Sequence, residues 1–252
     1  MNVIKKSTAD IEKVRIAGKL AAKILKIIEP HVKPGVTTLE LNNICHDYIV
    51  NVQQAIPASL NYRGYPKSVC TSVNHVVCHG IPKATEILKD GDIINIDVTV
   101  AKNGYLADTS KTFGVGQLSI FANKLLQITE ESLFIGINEV KPGIRLGKIG
   151  SVIQKYVEKN NFSVVREYCG HGIGKSFHEP PSVLHYGSPS FGPTLHEGMI
   201  FTIEPMVNAG SRHIKILNDG WTAVTADHQL SAQYEHTILV TKDGYEILTL
   251  DD

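Results

Sequence analysis

Asp90-Gly91-Asp92-Ile93-Ile94-Asn95-Ile96-Asp97 and Glu197-Gly198-Met199-Ile200-Phe201-Thr202-Ile203-Glu204 are two copies of one pattern, 107 residues apart, and each ends on an acid. Working outward, Val32-Lys33-Pro34-Gly35-Val36 returns as Val140-Lys141-Pro142-Gly143-Ile144, and Cys78-His79-Gly80-Ile81 is echoed by Gly170-His171-Gly172-Ile173. The order of the three matches is preserved, which marks an internal repeat. Two halves, about 30–115 and 140–240, each of helix, helix and hairpin, are expected around a pseudo-twofold axis. The fold class is α+β, with the strands in a curved antiparallel sheet and two pairs of helices on its outer face.

The helices are legible from their starts. Ser7 with Asp10, and Thr37 with Glu40, have capping-box spacing, and Ile11, Val14, Ala17, Ala21, Ile24 and Ile28 fall on one helical face. Further helices are predicted over 120–135 and about 146–158. Strands are predicted over 93–101, 106–115, 200–207 and 232–240.

In the first hairpin, Ile94, Ile96, Val98 and Val100 share one face while Asn95, Asp97 and Thr99 share the other. Asn103-Gly104 is a two-residue turn signal that pairs Asp97 with Ser110 and Thr99 with Asp108, which puts both aspartates on one face. Glu204 matches Asp97 by the repeat, and Glu235 in Tyr234-Glu235-His236 matches Asp108. Four carboxylates facing one cavity repel each other strongly unless cations are present. Two divalent ions offset that charge, and His171 between two glycines adds a nitrogen. This oxygen-rich set suits Mn, Fe, Co or Zn and points to a two-metal hydrolase. His79, repeat partner of His171, and His178, in the loop beyond it, are candidates for handling substrate or protons.

Composition narrows the class. The 252 residues carry 25 Lys plus Arg against 25 Asp plus Glu, with 42% hydrophobic positions. This is an ordinary globular balance without a dominant nucleic-acid or anionic-membrane surface. A chain of this size buries roughly 70–75% of its unfolded surface, so one core needs no disulfides. Cys45, Cys70, Cys78 and Cys169 have neither zinc-finger nor disulfide-scaffold spacing and are expected to be reduced thiols of a cytoplasmic protein. Met1 to Ala9 runs into Asp10 and Glu12 rather than into a signal-peptide core, and no membrane span is expected. Gly174-Lys175-Ser176 resembles a phosphate-binding loop, but Cys169 stands where its first glycine is needed and Pro180-Pro181 blocks the helix that should follow.

Gly64 to Cys70, Val76 to Pro82, Ile94 to Asp97, Asp108 to Lys111, Tyr168 to Gly174, Phe201 to Met206 and Ser231 to His236 resemble, in order, the motifs of the bacterial type I methionine aminopeptidases. The resemblance runs from Ile11 to Leu250, and it implies the pita-bread fold in a single catalytic domain over 1–252. The short bacterial form, without a zinc-finger extension before the first motif, is expected. It implies that Asp97 holds one metal, His171 and Glu204 the other, and that Asp108 and Glu235 bridge both, with a shared water polarised to the attacking hydroxide. Glu204 then also moves a proton toward the leaving amine, while His79 and His178 bind substrate and act in catalysis.

By the same resemblance Ser59, Tyr62, Tyr65, Cys70, Phe177 and Trp221 form the methionine pocket, and carbonyls near Asn74, Val76 and Ser231 hold a monovalent cation weakly. Bacterial members usually carry cysteine where Ser59 stands and often histidine where Arg63 stands. The implied activity is removal of the initiator methionine from nascent chains with a small second residue, by a cytoplasmic monomer without a membrane or sequence-specific nucleic-acid partner. Two other readings are a proline-directed peptidase of the same fold, which usually has an extra N-terminal domain, and a noncatalytic binding module, which typically loses metal ligands. With four of the 25 acids neutralised inside, 21 face 25 bases outside, so transient contact with ribosomal RNA is expected.

Overall fold

A computed structural model describes residues 5–251; the N-terminal reading over Met1–Ile4 lies outside the described residues. The helices are α1 (Thr8–Ile28), α2 (Thr38–Asp47), α3 (Ile120–Ile137) and α4 (Gly147–Lys159). Both predicted capping boxes form: Ser7 accepts the Asp10 N–H and Thr37 the Glu40 N–H, and each acid reaches back to the cap. The apolar stripe of α1 is buried at Val14, Ala17, Ala21, Ile24 and Ile28.

First-half strands are β1 (Ile56–Pro57), β2 (Cys70–Val73), β3 (Val76–Cys78), β4 (Ile93–Lys102) and β5 (Tyr105–Gly114). The second half holds β6 (Ser163–Val164), β7 (Gly170–Gly172), β8 (Glu179–Val183), β9 (Ile200–Ile203) and β10 (Met206–Asn208). It continues with β11 (Ile214–Ile216), β12 (Ala223–Thr225), β13 (Ser231–Gln233), β14 (His236–Val240) and β15 (Tyr245–Ile247).

The strands form four antiparallel ladders, β1-β4-β2 with β5 on β4, β13-β10-β6, β11-β12-β3 and β15-β14-β9-β7-β8. They are stitched at the centre, where Ser110 and Glu235 exchange backbone hydrogen bonds of 3.4 and 3.0 Å and Asn95 Nδ2 donates to Gln233 O at 2.8 Å. The predicted hairpin register holds, with Asp97 opposite Ser110 and Thr99 opposite Asp108.

Two predicted strands are each interrupted: 200–207 breaks at Glu204-Pro205, and 232–240 at Tyr234-Glu235. Pro205 has no N–H for a ladder, so the chain turns there from the β9 ladder into the β10 ladder. Both breaks release an acid from regular pairing and aim it inward.

The repeat extends to backbone detail. Gly35 donates to Leu88 O and Gly143 to Leu195 O, both at 2.9 Å, and the returning bonds from Leu88 to Val36 O and Leu195 to Ile144 O are 2.9 and 2.8 Å. Gly35 and Gly143 hold φ of 89° and 90°, Gly91 and Gly198 88° and 85°. A Cβ is strained at such angles, which explains glycine at matching places.

Each half has its core. Ile94, Ile96, Val98 and Val100 pack with α1 and α2, while Phe201, Ile203, Ile238 and Val240 pack with α3 and α4. The opposite face of β4 is not solvated: Asn95 and Thr99 are buried between the halves, and this is where the acids meet. No helix follows Ser176; the chain passes by a loop into β8, as expected from Pro180-Pro181 against a phosphate-binding loop. Among the described residues, no helix is long and apolar enough to cross a membrane.

Candidate active site

Asp97 on β4, Asp108 on β5, His171 on β7, and Glu204 and Glu235 at the two strand breaks line one cavity of about 340 Å³. Its wall includes Ser59, Tyr62, Tyr65, Cys70, Phe177 and Trp221, with His79 and His178 nearby, so all the predicted catalytic, pocket and divalent-metal residues converge. The predicted monovalent-cation residues lie elsewhere. Ser231 N–H donates to Asn74 O at 2.8 Å, and Val76 pairs with Val224 on β12.

Asp108, His171 and Glu235 each offer a ligand atom, all within 4.8 Å of one another. His171 Nε2 lies 3.9 Å from Asp108 Oδ2 and 3.6 Å from Glu204 Oε1. Its Nδ1 is 3.0 Å from Gly172 O, a partner that leaves Nε2 free as a ligand. The flanking glycines are required by packing: a Cβ on Gly170 would sit 2.3 Å from Thr202 O, and one on Gly172 2.3 Å from Pro180 O.

The electrostatics favour cations. Burial raises Glu204 to about 8, with the charge of Asp108 adding to it and the Thr202 hydroxyl opposing it. Burial raises Asp108 to about 6 against hydrogen bonds that include Thr99. Asp97 and Glu235 are pushed well above the carboxylate range by burial and then by the neighbouring acids. Burial and His178 lower His171 to about 3, so its imidazole is neutral and ready to ligate. Glu235 Oε1 is buried without a hydrogen-bond partner, and Arg63 at the rim is the only Lys or Arg lining the cavity among the described residues. Divalent ions fit this donor set: they satisfy the orphaned oxygen and offset the repulsion.

The sequence of this chain matches that of metallopeptidase family M24 over residues 12–242. It is 62% identical over 245 residues to a methionine aminopeptidase of Salmonella typhimurium, covering 97% of this chain and 93% of the relative. The chain belongs to metallopeptidase family M24, among its methionine aminopeptidases. Among solved M24 structures, the methionine aminopeptidase from Rickettsia prowazekii superposes with a TM-score of 0.97 at 54% identity, covering 99% of this chain and all of that one. The methionine aminopeptidase from Thermotoga maritima gives 0.97 at 39% identity, covering 99% and 100%.

The acids of the M24 cavity are held by residues for which the sequence signals no role in the site. Thr99 Oγ1 donates to Asp108 Oδ1 at 2.8 Å, Thr202 Oγ1 to Glu204 Oε1 at 2.7 Å, and Gln233 Nε2 to Glu204 Oε2 at 3.3 Å. The threonines sit two residues from Asp97 and Glu204 on the same strand face, so the period of two could have found them. His185, fully covered, accepts the Glu204 N–H on Nε2 at 3.0 Å, and no spacing marks it. At the mouth the Tyr62 hydroxyl is 2.8 Å from His178 Nδ1, and Phe177 stacks on His178 with centroids 4.7 Å apart. Burial, then His178, lowers His79 to about 4; partial burial, then the charge of Arg63, lowers His178.

Proposed function

We propose that this enzyme removes the N-terminal methionine of nascent polypeptides whose second residue is small, using two divalent ions in one catalytic unit built from the halves 30–115 and 140–240. The observation that carries the reading is the donor cluster of Asp108, His171 and Glu235, with the unpartnered Glu235 Oε1, at the floor of an aromatic cavity. Asp97 would hold one ion, His171 and Glu204 the other, and Asp108 and Glu235 would be shared by both. When bound, the ions supply Lewis acidity and an activated water.

The chain's own groups do the rest. Tyr62, Tyr65, Phe177 and Trp221, with Ser59 and Cys70, surround a flexible thioether; Tyr65 and Trp221 meet edge to face at 5.1 Å, which makes a preformed wall. The second residue then lies at the cluster, near His79 and His178. His79, neutral and buried, donates a hydrogen bond to the substrate amide. His178, oriented by Tyr62, donates to the scissile carbonyl as negative charge grows on its oxygen. Glu204 would also move a proton toward the leaving amine.

Mn, Fe, Co and Zn all suit the donors, so availability decides among them. We place the enzyme in the cytoplasm as a monomer, in transient contact with the ribosome through its surplus of outward bases, with a monovalent cation held weakly at the carbonyls of Asn74, Val76 and Ser231. The test is activity of metal-stripped protein on a Met-Ala peptide after addition of each metal, with an N-acetylated control. Hydrolysis should require metal and a free N-terminus and be lost in His171→Ala and Glu204→Ala; activity in metal-free protein refutes the reading. Absence of stoichiometric metal uptake in calorimetry would favour a noncatalytic module.

A further inference from the structure

The turn Asn61–Tyr65 holds an unusual backbone. Asn61, Arg63 and Gly64 have φ of 66°, 48° and 90°, and hydrogen bonds from Asn61 N–H to Tyr65 O (2.8 Å) and Tyr65 N–H to Tyr62 O (2.9 Å) close it. Asparagine and glycine visit this region readily, whereas the arginine Cβ crowds the following carbonyl oxygen there, and such outliers cluster at ligand clamps. Its consequence is placement. The Arg63 guanidinium lies over the Tyr62 ring, 5.3 Å from the centroid, on the exposed rim of the cavity. Stacking preorganises a planar fork suited to a carboxylate.

Glu167, which also lines the cavity, pairs with Arg212 at 3.7 Å. Arg63 takes part in no ion pair among the described residues. It stands just outside Tyr62, whose hydroxyl binds His178. Tyr62 belongs to the aromatic wall assigned to the first side chain, so Arg63 stands at the rim beside the place where a longer substrate would continue. An extended chain advances about 3.4 Å per residue, so its third side chain comes within reach of the long arginine.

We propose that Arg63 is a specificity-determining residue that favours substrates with an acidic side chain at the third position. The inference rests on the aminopeptidase reading and adds a substrate class to it. An exposed pair of this kind gives a few-fold effect, so attraction of Asp and repulsion of Lys together should give about a fivefold ratio.

The experiment compares kcat/KM of the metal-loaded enzyme on Met-Ala-Asp-Leu and Met-Ala-Lys-Leu. The ratio should be about five in the native protein, near one in Arg63→Gln and inverted in Arg63→Glu, and it should shrink toward one at high salt. Uncleavable reduced-amide analogues of the two peptides should show the same discrimination in their inhibition constants. A native ratio of one, or a ratio unchanged in Arg63→Gln, overturns the assignment to Arg63 alone. If neither peptide is cleaved, the aminopeptidase reading itself falls, and this inference with it.

Discussion

Replacing Glu235 by Gln should stabilise the metal-free protein in alkaline solution and destabilise the metal-loaded one. Glu235 is 2% exposed, one of its oxygens has no partner, and burial with the neighbouring acids raises its pKa well above the ordinary value. The folded state therefore keeps a proton that the unfolded chain has released, and stability falls as pH rises through that interval. A carboxyl that stays protonated costs about 1.4 kcal/mol per pH unit.

The histidines act in the opposite sense. His79, His171, His185 and His236 are lowered to about 4, 3, 3 and 4 by burial, so their contribution grows with pH only until the unfolded imidazoles have lost their protons. Between about pH 7.5 and 8.5 they are nearly silent, given an unperturbed value of about 6.5. Urea unfolding of chelator-treated protein across that unit should show a smaller loss of stability in Glu235→Gln than in the native protein, the difference reaching at most about 1.4 kcal/mol. Saturating divalent metal should remove the slope in the native protein and stabilise it by about 4 kcal/mol at a thousandfold excess over Kd, and the same metal concentration should stabilise the variant less. Equal slopes in the two metal-free proteins would refute the account of the buried cluster.

Three further outcomes are expected. Tyr62→Phe removes the hydroxyl 2.8 Å from His178 Nδ1 and should lower kcat/KM on Met-Ala peptides about three- to tenfold with the far-ultraviolet circular dichroism unchanged. Lys6→Met leaves Glu179, 7% exposed and paired with Lys6, as an uncompensated buried charge; the unfolding free energy should fall by about 3–5 kcal/mol, and adding Glu179→Gln should recover much of it. Gly18→Ala adds a Cβ that would lie 2.1 Å from Leu248 O, so melting should shift downward despite the helix propensity of alanine, worth about 1 kcal/mol.

The four helices were legible because their signals are local. Ser7 with Asp10 and Thr37 with Glu40 set the starts of α1 and α2, and the spacing of apolar residues set their buried faces. The β4–β5 register was legible from Asn103-Gly104, since a two-residue turn leaves one pairing, and it put Asp97 and Asp108 on one face. The second half was less legible. Pro205 is a local signal against one continuous strand, but the change from the β9 ladder to the β10 ladder depends on which sheet waits on each side.

His185 shows the same limit. Its bond to the Glu204 N–H joins residues 19 apart in a pairing no periodicity encodes. Arg63 was visible as a departure from the family pattern, but its place over Tyr62 follows from three positive φ angles that only the folded turn displays.

The sequence by itself determined the repeat, the helices, the first hairpin and the identity of the acids, since each depends on spacing within a few residues or on the order of matched motifs. The tertiary structure alone decided that the polar face of β4 is buried between the halves, which turns strand acids into a cluster of raised pKa. It also placed Glu235 with an unpartnered oxygen beside Asp108 and His171. Burial and mutual repulsion depend on distances between residues far apart in the chain, and those distances come into being only when the two halves close on each other.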